Sequence, residues 1–392
     1  AGLAALIPHD VEGASRTRFV VTDMRSGQVA ATGPRWTSLP TEISGRLGSP
    51  CHVEPCDLDQ DGRTDLVIAD LGSFGASDHQ RGKVVWLRTL DDGQYRPIEV
   101  VAGLGRVADA RPGDFDEDGD LDLVVAEFGW HQTGRVLLLE NRAIGEDSAD
   151  FSLHVADSRH GAIHVPVTDL NRDGHLDFVA LISQEHEVIE AFLGRGDLSF
   201  DRQTIFAAED PSYASSGIEL VDLDADGDLD VLYVNGDCFD VGHMKPHHAV
   251  QWLENEGGYP FEHHLLAQMP GASRAVAGDL DGDGDLDVAA ASLLPPTILS
   301  DHGARNFDSL VWFEQISPRQ FERHSLEKAA CRHACLELGD FDSDGDLDMA
   351  VGNATFERPP RGQEPPALTI WWNQRISSSS ANGGQKNGRR KK

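Results

Sequence analysis

Asp222-Leu223-Asp224-Ala225-Asp226-Gly227-Asp228-Leu229-Asp230, followed by the apolar run Val231-Leu232-Tyr233-Val234, is the stretch whose reading decides the fold. Carboxylates stand at positions 1, 3, 5 and 9 of a nine-residue loop. Gly227 at position 6 permits a sharp reversal that a Cβ would resist. Hard oxygen ligands at alternate positions of a tight turn suit Ca²⁺.

The pattern occurs six times. The other candidate ligand sets are Asp57, Asp59, Asp61, Arg63 and Asp65; Asp114, Asp116, Asp118, Asp120 and Asp122; and Asp169, Asn171, Asp173, His175 and Asp177. Two more follow: Asp279, Asp281, Asp283, Asp285 and Asp287, then Asp340, Asp342, Asp344, Asp346 and Asp348. Position 7 is expected to ligate through its backbone carbonyl, so its side chain varies: Arg63, Asp120, His175, Asp228, Asp285, Asp346. The EF-hand is excluded, because position 12 would need a bidentate glutamate and is Ile68 or Tyr233 inside an apolar run. Four carboxylates in one turn repel one another without a cation. Up to six structural Ca²⁺ ions are therefore expected, doing no chemistry themselves.

The first aspartates are 57, 55, 53, 57 and 61 residues apart. A regular repeat of this kind grows as one body. Each period reads as four short β segments: one before the loop, an apolar run after it such as Val124-Val125-Ala126, a third such as Val84-Val85-Trp86-Leu87, and a fourth opened by an aromatic such as Phe261. Four strands per period is the plan of a propeller blade. Residues 1–46 align as a degenerate, cation-free blade. Asp10-Val11-Glu12 begins its loop, Ala14 and Arg18 replace the position 5 and 9 aspartates, and Trp36 opens its fourth segment. The expected fold is an all-β, seven-bladed propeller over 1–376, with six blades as the alternative. Six calcium-loop blades run from about 47 to 376. The last lacks a fourth segment, so either residues 1–8 complete it or sequence upstream of Ala1 does. Residues 377–392 read as a disordered basic tail.

The net charge is −33, and the loops hold 23 acidic residues at positions 1, 3, 5 and 9. Six divalent ions would remove roughly a third of that charge. Nucleic acid and anionic lipid are excluded as partners of the main body, since both require basic surface. No apolar run of about 20 residues is present, so membrane insertion through a helix is not expected. The five cysteines, Cys51, Cys56, Cys238, Cys331 and Cys335, are odd in number and read as small buried thiols with at most a local bridge. The chain begins at Ala1, as a mature product or a piece of a larger multidomain precursor would.

On these loops the chain resembles the FG-GAP/VCBS repeats of integrin-α-like β-propellers, in which DxDxDGxxD loops bind Ca²⁺. It departs from the integrin form after the second strand. There Ala69-Asp70-Leu71-Gly72 and Ala126-Glu127-Phe128-Gly129 stand in place of Gly-Ala-Pro, as in bacterial secreted VCBS-type propellers. The resemblance implies an extracytoplasmic binding or scaffold role: secreted, periplasmic or on the cell surface.

Histidines recur in the loop between the second and third segments: His79, His131, His186, His247 with His248, and His302. That loop faces away from the cages. The first segments begin on the same side near the axis, at His52, Asp109, His164, Arg274 and His333. One expectation is a rim that binds a glycan or protein, with Phe74, Trp130 and Phe239 as stacking surfaces. The alternative is a propeller enzyme, like the carbohydrate lyases or dehydratases among similar propellers. Its histidines would hold Zn²⁺ or act as acid and base in a central pocket. No HExxH or Ser/His/Asp arrangement supports that alternative, and binding is the first reading.

Overall fold

A computed structural model describes residues 3–9, 18–31, 41–145, 148–239, 243–300, 306–354, 356 and 366–374. The period of the acidic loop is also the period of the sheets. In the Asp222 repeat, Ser215–Val221, Asp230–Asn235, Ala249–Glu254 and Glu262–Gln268 pair antiparallel in chain order. The acidic loop joins the first two strands. The second strand of every loop-bearing repeat, from Asp65–Asp70 to Asp348–Asn353, is buried along its whole length. Such strands are sandwiched on both faces, which is why they read as continuous apolar runs. The outermost strand, as in Glu262–Gln268, is largely open to solvent.

Two repeats depart from this plan. In the Asp169 repeat the inner strand is split into Ala162–His164 and Val167–Thr168. Pro166 lies at the break, and proline has no N–H for the ladder. The Asp340 repeat shows three strands among the described residues: His333–Gly339, Asp348–Asn353 and Leu368–Trp371.

Among the described residues there are seven sheets, six of which carry the acidic loop. The remaining one contains Leu3–His9, Arg18–Asp23, Gln28–Ala31 and Thr41–Glu42. The expectation that residues 1–8 could complete the last repeat is corrected here. Residues 3–9 pair with Arg18–Asp23, Ile7 opposite Val20, and form the first strand of their own sheet. Asp10, Glu12, Ala14, Trp36 and the tail 377–392 lie outside the described residues. Val20 and Val29 pack with Val53, Leu66 and Ile68 on one side. Phe19 and Val21 pack with Phe341 and Ala350 on the other, the Phe19 and Phe341 rings meeting edge-on at 4.7 Å. The N-terminal sheet thus stands between the first and last loop-bearing sheets.

The core lies between sheets. One cluster joins Trp86, Val67 and Val84 of the Asp57 repeat to Leu123, Val125 and Leu137 of the next. Each large side chain buried there stabilises by about 1.5–3 kcal/mol. The result is an all-β propeller.

Candidate metal loops, axial channel and loop rim

The loops share one backbone. Position 4 is left-handed in each, at Gln60, Glu117, Arg172, Ala225, Gly282 and Ser343, with φ between 54° and 77°. Position 6 is glycine with φ of 87° to 103°, a region that excludes most residues with a Cβ. The turn is held by its own carboxylates. The N–H of position 6 donates to the position 1 aspartate, as from Gly119 to Asp114 at 3.1 Å and from Gly227 to Asp222 at 3.0 Å. The N–H of position 7 donates to position 5, as from Asp228 to Asp226 at 2.8 Å. Adjacent loops also touch. Gln60 donates to the Gly119 carbonyl at 2.6 Å, and Arg172 pairs with Asp228 at 3.2 Å.

Position 9 has a second task that the spacing did not suggest. Asp230 is fully buried. One of its oxygens accepts the N–H of Leu223 at 3.1 Å, and the other accepts that of Asn255, just past the third strand, at 2.8 Å. The pair recurs at Asp122, Asp177, Asp287 and Asp348. Asp65 accepts Thr89 N–H at 2.7 Å and Trp86 Nε1–H at 2.8 Å. The aspartate therefore clamps the loop to strand three. It keeps spare lone pairs, since a carboxylate offers about four acceptor sites.

The residues fit a hard divalent cation on two observations. One oxygen from each of Asp114, Asp116 and Asp122 lies within 4.8 Å of the others, as do oxygens of Asp222, Asp224 and Asp226; those of Asp57, Asp59 and Asp61 are as close, but with the Arg63 and Arg88 guanidiniums on them. Asp114 Oδ1 and Asp222 Oδ1 are buried and accept no hydrogen bond; such groups are costly unless paired. Burial pushes Asp122 up to about 7, and Asp230 and Asp65 up to about 6, shifts that a nearby positive charge would oppose. A bound Ca²⁺ would supply that charge through positions 1, 3 and 5 and the position 7 carbonyl.

Strand pairing places a second set of charges at the axis. Val53, Ala110, Ile218, Ala275 and Leu336 occupy equivalent rungs of their inner strands. The residue before each forms one row: His52, Asp109, Gly217, Arg274 and Cys335. His164 joins that row through Asp109, its Nδ1 3.7 Å from Oδ2. His333 does not belong to it, because it lies two residues earlier on its strand. It is buried against Asn353 at 2.7 Å and Glu327 at 2.6 Å. The sequence expectation for His333 is corrected accordingly.

One step of the two-residue strand period further on stand Glu54, Arg111, Glu219 and Glu337, which the sequence reading missed. Their signal was that period itself. Asp109 is the hub, 3.3 Å from His52 Nε2 and 3.0 Å from Arg111 Nε. Burial raises its carboxyl, but Arg111, His52 and His164 outweigh that and hold it well below the usual range. Arg111 also pairs with Glu54. Arg274 reaches Glu219 at 3.1 Å and Glu337 at 3.5 Å. Burial pushes Glu337 up to about 7 against the pull of Arg274. Arg111, Glu219, Arg274 and Glu337 line a cavity of about 420 Å³.

The loop histidines each engage a local partner. His79 Nδ1 accepts the Arg81 N–H, and the His131 ring lies against Trp130 at 4.5 Å. His186 meets His160 edge-on at 5.1 Å, and His247 sits 3.3 Å from Asp210. His302 is outside the described residues. A smaller cavity of about 230 Å³ opens among the strand-one starts Ser216 and Ser273 and the loop residues Asp237 and Phe239. Phe239 and Phe74 are 41% and 50% exposed, as stacking surfaces must be. The cysteines Cys51, Cys56, Cys238, Cys331 and Cys335 are all free thiols.

A family model for the FG-GAP-like repeat matches residues 57–125 and 169–233. Cartilage acidic protein 1 of Homo sapiens is 23% identical over 346 residues, covering 81% of this chain and 49% of its own. The Mus musculus protein of that name is 22% identical, covering 81% and 50%. The chain thus spans about half the length of the curated relatives it matches. Among solved structures, selenomethionine-substituted virginiamycin B lyase from Staphylococcus aureus aligns with a TM-score of 0.50 at 12% identity. The alignment covers 85% of this chain and 87% of that one. At that identity the likeness concerns the fold.

Proposed function

This chain carries FG-GAP-like repeats, and from that premise we propose that it is an extracytoplasmic, calcium-stabilised β-propeller that binds a protein or glycan. The observation that carries the binding reading is the rim cavity of about 230 Å³. It sets an exposed phenyl ring, Phe239, beside a carboxylate, Asp237, and two serine hydroxyls. An aromatic face with a few placed polar groups is the composition of a sugar or peptide site. Calcium supports the location, since acidic loops in extracellular modules work at about 10⁻⁴–10⁻³ M Ca²⁺. Among the described residues no helix is long and apolar enough to cross a membrane. The N-terminal sheet, packed on both loop-bearing neighbours, is read as a seventh, cation-free blade.

The second reading, a propeller enzyme acting on sugars, is favoured by the meeting of His52 and His164 on Asp109. It is weakened by the same cluster. Asp109 also accepts the Val165 N–H at 3.0 Å and faces Arg111, so its charge is already matched.

The test is an array of glycans and secreted proteins probed with calcium-loaded protein. The account expects retention on one ligand class, lost on Phe239→Ala and unaffected by His164→Ala. Release of an unsaturated sugar product, abolished by His164→Ala, would favour the enzyme. Absence of retention across the array would remove the binding reading.

A further inference from the structure

We propose that the first loop, Asp57–Asp65, is closed by the chain's own arginines and takes no cation. This rests on the reading that the other loops hold calcium. The position that decides it lies on strand three. The residue whose N–H reaches the position 9 aspartate is Thr89 in this repeat and Asn141, Gly194, Asn255, Gln315 and Asn373 in the others. The residue before it is therefore equivalent throughout: Arg88, Glu140, Leu193, Glu254, Glu314 and Trp372. Three repeats offer a carboxylate there. The Asp57 repeat alone offers a cation.

The guanidinium of Arg88 enters the loop. Its Nε donates to Asp59 Oδ2 at 2.5 Å, and its Nη2 lies 3.5 Å from Asp61 Oδ2. Both partners are well covered, Arg88 being 15% and Asp59 8% exposed. The arginine is held from behind by the Trp86 ring, 5.9 Å from the guanidinium carbon, and Trp86 is itself fixed on Asp65. A second arginine, Arg63 at position 7, pairs with Asp61 and with Asp91. Every other loop has an acidic residue or histidine at position 7. Four carboxylates thus face two guanidiniums in the first loop. Six carboxylates and no cation occupy the same positions in the second.

A guanidinium on two carboxylates supplies the charge that a divalent ion would, and its planar fork fixes their orientation. It also takes up one oxygen at each of positions 3 and 5, Asp59 Oδ2 and Asp61 Oδ2, and leaves Asp59 Oδ1 buried without a partner. Arg319 approaches the fourth loop too, at 3.6 Å from Asp224, but it is 49% exposed and comes from the adjacent repeat.

The test counts bound calcium per folded chain by native mass spectrometry after equilibration in Ca²⁺. Asp59→Ala in the wild-type background is expected to leave the count unchanged, whereas Asp116→Ala lowers it by one. Arg88→Glu, which copies the residue of three other repeats, is expected to raise the count by one. That gain should disappear when Asp59→Ala is added. A loss of one ion on Asp59→Ala alone, or no gain from a folded Arg88→Glu protein, would overturn the proposal. A wild-type count of zero would instead defeat the calcium reading on which it rests.

Discussion

The loops beginning at Asp57 and Asp114 share their backbone down to the left-handed residues at positions 4 and 6, yet one faces Arg88 and the other Glu140. Each loop keeps a buried oxygen with no hydrogen-bond partner, Asp59 Oδ1 and Asp114 Oδ1, but Asp59 has its Oδ2 on a guanidinium. The difference teaches that the DxDxDGxxD spacing specifies a turn, and that the occupant is chosen elsewhere. Here the choice is made on strand three, whose end is brought back onto the loop by the position 9 clamp.

The comparison breaks most visibly when calcium is removed. Chelation strips the charge from loops like Asp114's and leaves Asp57's intact. A ligand held only by the folded state stabilises by mass action, about 2.7 kcal/mol per site at a hundredfold excess over its dissociation constant. For several sites the melting temperature is expected to fall by about 10 °C or more, given the entropy of unfolding of a chain this size. Calorimetry with and without chelator reads it. An unchanged melt after verified metal loss speaks against structural calcium. Hydrogen exchange in the same samples should show deprotection at 114–122 and 222–230 well before 57–65.

The clamp is the part the two loops share, so it sharpens the contrast. Asp65→Ala and Asp122→Ala each strand buried donors, at about 1–3 kcal/mol per group. Both are expected to cost about 3 kcal/mol in urea unfolding at saturating calcium. A clamp that mattered only in Asp122 would mean that position 9 acts through the ion. Arg88→Ala comes next in size. It leaves Asp59 without its counter-charge and Asp61 with Arg63 alone, which is expected to cost about 2 kcal/mol, between the values for exposed and buried pairs. Millimolar Ca²⁺ should restore part of that loss in the variant and none in the wild type.

The smallest effect lies away from both loops. Burial raises Glu337 to about 7 in the fold, with Arg274, Glu219 and Arg111 around it. A carboxyl raised above its unfolded value favours folding when protonated. That contribution is complete below about pH 4.5 and is lost as pH rises through 7. Glu337→Gln is therefore expected to flatten stability between pH 5 and 8 and to gain about 1 kcal/mol at pH 8. A variant as pH-dependent as the wild type would trace the dependence to the loops instead.

Much of the fold was legible because the loop motif repeats. Its period marked where each apolar second strand had to begin, and the all-β propeller followed. Alignment with that period alone marks residues 18–21 and 27–30 as the second and third segments of the degenerate blade, and strands stand there at Arg18–Asp23 and Gln28–Ala31. The first strand at Leu3–His9 was not marked, because it precedes the degenerate loop and carries no motif. At the site, position 6 glycines and alternate carboxylates announced a turn that gathers oxygens. Arg88 was invisible, being an ordinary strand residue 23 positions beyond Asp65 until the clamp registers it against the loop. His52, Asp109, His164 and Arg274 were found in the axial row, and His333 was misplaced for a related reason. A bulge between Pro50 and His52, and its counterparts in other repeats, shifts the register at the start of each inner strand. Counting from the loop end would have put Cys335 in the row and left His333 out.

The most direct test is the number of calcium ions retained by the folded wild-type chain. Native mass spectrometry at saturating Ca²⁺, followed by brief exchange into metal-free buffer, is predicted to give five, one for each loop except Asp57–Asp65. Six would mean that Arg88 yields to the ion and that the motif alone decides occupancy. None would mean that the acidic turns are held by their hydrogen bonds without a metal.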